Sequence, residues 1–174
     1  MLLLKKQGVK VDILGKEGKQ KSKIFVEILL KTLTYAGAVV QFASILLPDL
    51  FCSLNTPFYV KIAALILASF ADVVFIAAIV VMRENWRAGY SQNQNTKLVT
   101  NGIYKISRNP AFVGFDLLYL AVALFSPNIL SIAVTVLLLV MFHIQILGEE
   151  KFLNETFGEE YKQYNKKVFR YLGR

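Results

Sequence analysis

The sequence has almost none of the residues that build metal centres and disulfides. Cys52 is its one cysteine and His143 its one histidine in 174 residues. A disulfide framework needs paired cysteines, so a stapled secreted module is excluded. A Cys/His zinc site is excluded on the same count. Charge is also scarce: 18% of residues are Asp, Glu, Lys or Arg, against roughly 25% in an ordinary soluble domain. Disordered chains are rich in charge and poor in aromatics. This one is 13% aromatic and 55% apolar, which excludes disorder. No internal repeat or low-complexity tract is present, and the length fits one compact domain.

What the sequence does have is long apolar runs. A bilayer core needs about 20 apolar residues in a helix. Ile24 to Leu47 is one such run, with Glu27 and Lys31 confined to its first two turns. Phe58 to Met82 is a second, interrupted only by Lys61 and Asp72. Pro110 to Phe125 is apolar but shorter, Ser126-Pro127-Asn128 marks a turn, and Ile129 to Gly148 is the last run. The pattern predicts an all-α integral membrane protein, with about four membrane segments in a single domain over 1–174. The last two segments form a helical hairpin whose first arm is short.

Eighteen of the 20 basic residues fall in 1–23, 83–109 and 149–174, and none in 48–57 or 126–128. The positive-inside rule then puts both termini and the 83–109 loop in the cytoplasm, with a plasma (inner) membrane expected. The net charge of +8 reads as orientation and attraction to anionic membrane lipids. No basic stripe interleaved with aromatics accompanies it, so nucleic acid is not an expected partner. Residues 1–23 read as a basic surface arm and not as a signal peptide, because lysines follow the short apolar start.

Several polar residues stand where the apolar runs reach the surface. Pro110 suits the first turn of a helix, with Asn109 near its N-cap. The free N–H groups of that turn could cradle an anion, or could be a plain helix start. The tail from Glu149 to Tyr171 carries an apolar stripe through Leu153, Phe157, Tyr161, Tyr164, Val168 and Tyr171 or Leu172, with Gly158 as a hinge. It predicts an amphipathic helix, lying on the membrane surface or folded back over the cytoplasmic mouth. Glu149 and Glu150 stand where the last run leaves the bilayer, a depth at which a carboxylate needs water, a cation or the protein interior. Gln145 shares a helix face with Glu149. His143 is offset from both and reads as a packing residue. Asp72 and Asp116 lie inside membrane runs, each either functional or an interhelix hydrogen-bond partner.

Residues 98–124, LVTNGIYKISRNPAFVGFDLLYLAVAL, and 149–171, EEKFLNETFGEEYKQYNKKVFRY, resemble the isoprenylcysteine carboxyl methyltransferase family, which is similar to the phospholipid methyltransferases. MRENWRAGY at 82–90 is similar to that family's Trp-Arg segment. The combination is specific: Gly-x-Tyr, Arg-Asn-Pro, an apolar hairpin, Glu-Glu, then Phe-Gly-x-x-Tyr-x-x-Tyr. The resemblance implies methyl transfer from S-adenosyl-L-methionine to a lipophilic small-molecule or lipidated acceptor: a prenylcysteine-like carboxylate, a lipid amine or another isoprenoid. By position it puts cofactor contacts on Thr96, Lys97, Leu98, Val99, Tyr104, Asn109, Pro110, Ala111, Phe112 and Glu149. Arg108 stands nearby as a donor for the cofactor's carboxylate. Gln145 takes the substrate position, where the prenylcysteine branch has arginine. Asn109 replaces the usual histidine, so this residue cannot transfer a proton. An amine or hydroxyl acceptor would need a base, for which Glu150 and Asp116 are the candidates.

Two other classes stay open. Membrane reductases using NADPH share an Arg-His-Pro pattern, but they carry an Asn-Tyr-x-Gly-Glu type segment where this chain has Ala111 to Asp116. A non-catalytic membrane interaction module would keep the basic arms and bind no cofactor.

Overall fold

A computed structural model describes residues 21–82 and 97–173, with residues 21–23 described in their backbone alone. Among them every regular element is helical: α1 (Lys21–Leu46), α2 (Phe58–Met82), a 3-10 turn (Gly102–Lys105), α3 (Pro110–Phe125), α4 (Ile129–Phe157) and α5 (Glu159–Lys167). The basic arm at 1–20, most of the Trp-Arg segment and Thr96 lie outside the described residues. Three helices are long and apolar enough to cross a membrane: Ile24–Leu46, Phe58–Met82 and Ile129–Phe157. Only 11% of the α2 window is buried in the protein, and α1, α2 and α4 turn large apolar side chains outward. Water would not tolerate such a surface, so the chain is a multi-pass membrane protein. At 16 residues α3 spans about 24 Å, short of a bilayer core of roughly 30 Å.

The helices pack in the order α2, α3, α4, α1, with α2 seated on α3 and α1 on α4. Small residues set the first contact. Ala64, Ala71 and Ala78 recur every seven residues on the buried face of α2. Opposite them, a Cβ on Gly114 would lie 3.0 Å from the Ala71 carbonyl oxygen and 3.0 Å from Phe75 Cβ. Glycine there lets the two backbones approach, the usual means of helix association in lipid. The second contact is a core of Leu30, Tyr119, Leu138, Met141 and Phe142. Polar groups also tie it. Gln41 Nε2 donates to the Tyr119 carbonyl at 3.1 Å and to Thr135 Oγ1 at 2.8 Å, and Tyr119 Oη donates to the Thr34 carbonyl at 2.8 Å.

The last run differs from its sequence expectation. α4 does not end at Gly148; it continues through both glutamates to Phe157. One glycine inside a helix costs only about 1 kcal/mol, too little to stop it. The break comes at Gly158, which takes φ +50°, a left-handed conformation that glycine adopts without strain. One helix ends there and α5 begins at the next residue. α5 folds back so that Tyr161, Tyr164 and Val168 pack with Leu98, Leu153 and Phe157, while Lys162, Lys166 and Lys167 stay exposed.

Candidate functional site

The polar residues singled out by the sequence gather at the end of the bundle where α4 meets α5. The 3-10 turn brings Tyr104 against Ala78 and Ala111, with Val99 packed beside them. Tyr104 is 4% exposed, and Tyr164 Oη donates to its carbonyl oxygen at 2.6 Å. From there Ser107, Arg108 and Asn109 lead into α3. Asn109 makes no capping bond to the helix it precedes. Its Nδ2 donates instead to Glu150 Oε1 and to the Arg170 carbonyl, both at 3.2 Å. No side chain of its own cap therefore covers the first N–H groups of α3, at Ala111 and Phe112.

The chain after α5 forms a strap over this loop. The Arg108 N–H donates to the Phe169 carbonyl at 3.1 Å, and the Gly173 N–H to the Ile106 carbonyl at 3.0 Å. Ser107 Oγ reaches the Arg170 carbonyl at 3.4 Å. The strap thereby delivers Arg170 to Glu150: Nε and Nη2 donate to Oε2 at 3.0 and 2.9 Å. Arg108 Nη2 reaches the other oxygen at 3.1 Å, and its Nη1 donates to Asn165 Oδ1. The side chains of Arg108 and Glu150 are only 7% and 10% exposed. The hydrogen bond to Glu150 holds the Arg170 guanidinium above its ordinary pKa. So Glu150 is an anion fixed between two cations and an amide.

Glu149, one residue earlier and about 100° around the helix, faces another way. It accepts from Gln145 Nε2 at 3.0 Å. Burial pushes the Tyr104 hydroxyl up, and the Glu149 charge pushes it further, which puts the carboxylate within electrostatic reach of Tyr104. Two turns below the rim lies a third group. His143 Nδ1 and Tyr171 Oη are 2.6 Å apart, their rings stacked at 16°. Burial, then the Asp116 charge, raises the Tyr171 hydroxyl. Asp116 Oδ1 is buried without a hydrogen-bond partner.

The structure thus brings Tyr104, Gln145 and Glu149 together, and beside them Arg108, Asn109 and Glu150. Pro110 and Ala111 are buried at the same end. Phe112 points into the core, its ring 5.9 Å from that of Phe142. Leu98 belongs to the α5 cluster, and Lys97 is exposed beside it. Asp116 stays two turns deeper and does not reach the rim. Sequence reasoning missed Arg170 and the pairing of His143 with Tyr171. Arg170 lies past the end of α5 and off the apolar stripe that reaches Tyr171, so no periodicity marks it.

The family described as phospholipid methyltransferase matches residues 58–160, from the start of α2 into α5. A probable protein-S-isoprenylcysteine O-methyltransferase of Oryza sativa subsp. indica is 31% identical over 124 residues, 68% of this chain and 64% of that protein. Protein-S-isoprenylcysteine O-methyltransferase A of Arabidopsis thaliana is 28% identical over 154 residues, 84% of this chain and 77% of its own. The chain thus spans slightly less than two thirds of the rice protein. Among solved structures, the eukaryotic intramembrane Ras methyltransferase ICMT has the same fold, with TM-score 0.63 and 23% identity over 80% of this chain and 50% of its own.

Proposed function

We propose, for a chain that belongs to the phospholipid methyltransferase family, that it transfers a methyl group from S-adenosyl-L-methionine to a lipophilic, prenylcysteine-like carboxylate presented from the membrane. The relatives, which are protein-S-isoprenylcysteine O-methyltransferases by name, support the acceptor class. The observation that carries the reading is the meeting of Tyr104, Gln145 and Glu149 beside the uncapped start of α3.

These residues fit the donor's charges. Glu149 is a carboxylate suited to an ammonium or to ribose hydroxyls. The first N–H groups of α3 suit a carboxylate, and Val99, Pro110 and Ala111 supply apolar wall. Arg108 contributes less directly than its charge implies, because Glu150 and Asn165 occupy its guanidinium. When bound, S-adenosyl-L-methionine supplies a methyl carbon carried on a cationic sulfur. The chain's own contribution is positioning and exclusion of water. A carboxylate acceptor has no proton to lose, so no base is required. Glu150 then serves as a positioning residue, clamping the strap to the start of α3. Gln145 holds Glu149 in place and offers a neutral amide toward the acceptor. The basic segments favour the cytoplasmic face for this end of the bundle, and in a plasma (inner) membrane an acceptor would enter from the inner leaflet.

The test uses protein in lipid nanodiscs, methyl-labelled S-adenosyl-L-methionine and an S-farnesylated cysteine peptide, offered as the free C-terminal carboxylate or as the amide. Label on the carboxylate peptide as a base-labile ester, and none on the amide, is the expected result. Equal labelling of both peptides, or none of either by protein that binds the donor, would overturn the proposed acceptor.

A further inference from the structure

Asp72 has no role in the site above, and its position is anomalous. It lies ten residues from Met82 and fourteen from Phe58 on α2, so about 15 Å and 21 Å from the two ends. That is close to the bilayer centre. The residue is exposed, and no hydrogen bond, ion pair or charged neighbour engages it among the described residues. The face of α2 that meets α3 is built on Ala64, Ala71 and Ala78, and Asp72 lies about 100° around the helix from it. An ionisable side chain at this depth, turned to lipid, is costly and therefore rare.

Its surroundings on the helix are ordered. Ile62, Leu65, Ser69, Asp72, Ile76 and Val80 are all exposed and follow steps of three, four, three, four and four. That is the spacing of a helix–helix seam, with its two polar members at the middle. Ser69 Oγ donates its hydrogen to the Leu65 carbonyl at 2.9 Å, which leaves the oxygen able to accept another. A seam of this kind joins like to like when two helices run parallel. All copies of one chain insert with the same orientation, so a second copy brings Asp72 to the same depth by symmetry. The two side chains can then hydrogen-bond to each other across the interface, which neither can do facing lipid alone. A surface arm cannot reach this depth, and a foreign helix would have to carry a matching donor there.

We infer that the Ile62–Val80 face of α2 is the interface of a parallel dimer, in which Asp72 of two copies meet at the bilayer centre and are flanked by Ser69.

The experiment uses the full chain in nanodiscs at graded protein-to-lipid ratios, in a Cys52→Ser background, with single cysteines introduced as Ile76→Cys or Phe70→Cys. Phe70 is also exposed but lies about 120° off the seam's centre. Oxidation is expected to link the Ile76→Cys protein into a dimer and to leave the Phe70→Cys protein single. Asp72→Leu should lower the linked fraction about tenfold without lowering thermal stability in detergent. Mixing Asp72→Lys with the native sequence should restore pairing that Asp72→Lys alone lacks. Equal linking at both cysteines, linking undiminished by Asp72→Leu, or a monomer at every ratio would each overturn the interface.

Discussion

The two ends of the bundle are both polar, yet they are built differently. At the hairpin end, Ser126 Oγ lies 2.8 Å from the Ser44 carbonyl and 3.1 Å from Ser53 Oγ. Asn128 Oδ1 accepts from the Ser131 N–H at 2.8 Å, and the Leu54 N–H donates to the Pro127 carbonyl at 2.8 Å. These groups are neutral and mostly serve one another, with Ser131 Oγ the buried exception. At the strap end the groups are charged and unevenly matched. Two arginines share Glu150, Glu149 stands beside a tyrosine, and Arg108 Nε and Tyr161 Oη lack a partner of good geometry. A neutral network of this kind closes a turn. A charged, uneven one costs stability to bury and is retained where something else is to be held.

Substitutions at the two ends separate these roles. The largest effect is expected from Glu150→Ala, which leaves the Arg108 and Arg170 guanidinia facing each other. Loss of one partner in a buried ion cluster costs about 3–5 kcal/mol, read as a fall in thermal stability and as proteolysis of the strap. A fall no larger than that of an exposed control such as Glu155→Ala would deny the clamp. Next comes Gln145→Ala, which removes a hydrogen bond to a carboxylate. Donor affinity should fall about tenfold, as for a bond worth about 1.5–3 kcal/mol, with little change in unfolding. At the hairpin end, Asn128→Ala should cost about 1 kcal/mol, the usual worth of an N-cap, and leave donor affinity alone. Altered donor affinity in that variant would blur the division between the ends.

The smallest effect is one of pH. Burial raises the hydroxyls of Tyr104 and Tyr164 above their ordinary value near 10, with the Glu149 charge next for the first and the Tyr161 hydroxyl next for the second. The folded state therefore holds these protons more tightly than the unfolded one. The stability this supplies is complete below about pH 10 and is lost as pH rises further. Unfolding followed from pH 9 to 11.5 should show the decline, and Tyr164→Phe should make it shallower.

Much of the frame was legible in the sequence, because lipid writes directly into hydropathy. The bounds of α2 and α3 match the apolar runs at Phe58 to Met82 and Pro110 to Phe125, where proline lies at or next to the start. The polar end was less legible. Hydropathy stops at Gly148 because the bilayer does, whereas α4 runs on to Phe157. Adjacent glutamates look alike in a sequence, and only their angle on α4 separates Glu149 beside Tyr104 from Glu150 between the arginines. Asn109 was legible as a cap position, but not as a residue whose side chain turns from the helix to Glu150 and the strap. The bonds that settle these matters join residues 20 to 63 positions apart, and no local pattern encodes them.

Glu149 is proposed as the residue through which the strap end holds the methyl donor. Equilibrium binding of labelled S-adenosyl-L-methionine to the protein in nanodiscs is the decisive experiment. The native sequence should bind, Glu149→Ala should bind at least about tenfold more weakly, and Asn128→Ala should match the native affinity. Equal affinity for Glu149→Ala and the native protein would contradict the claim.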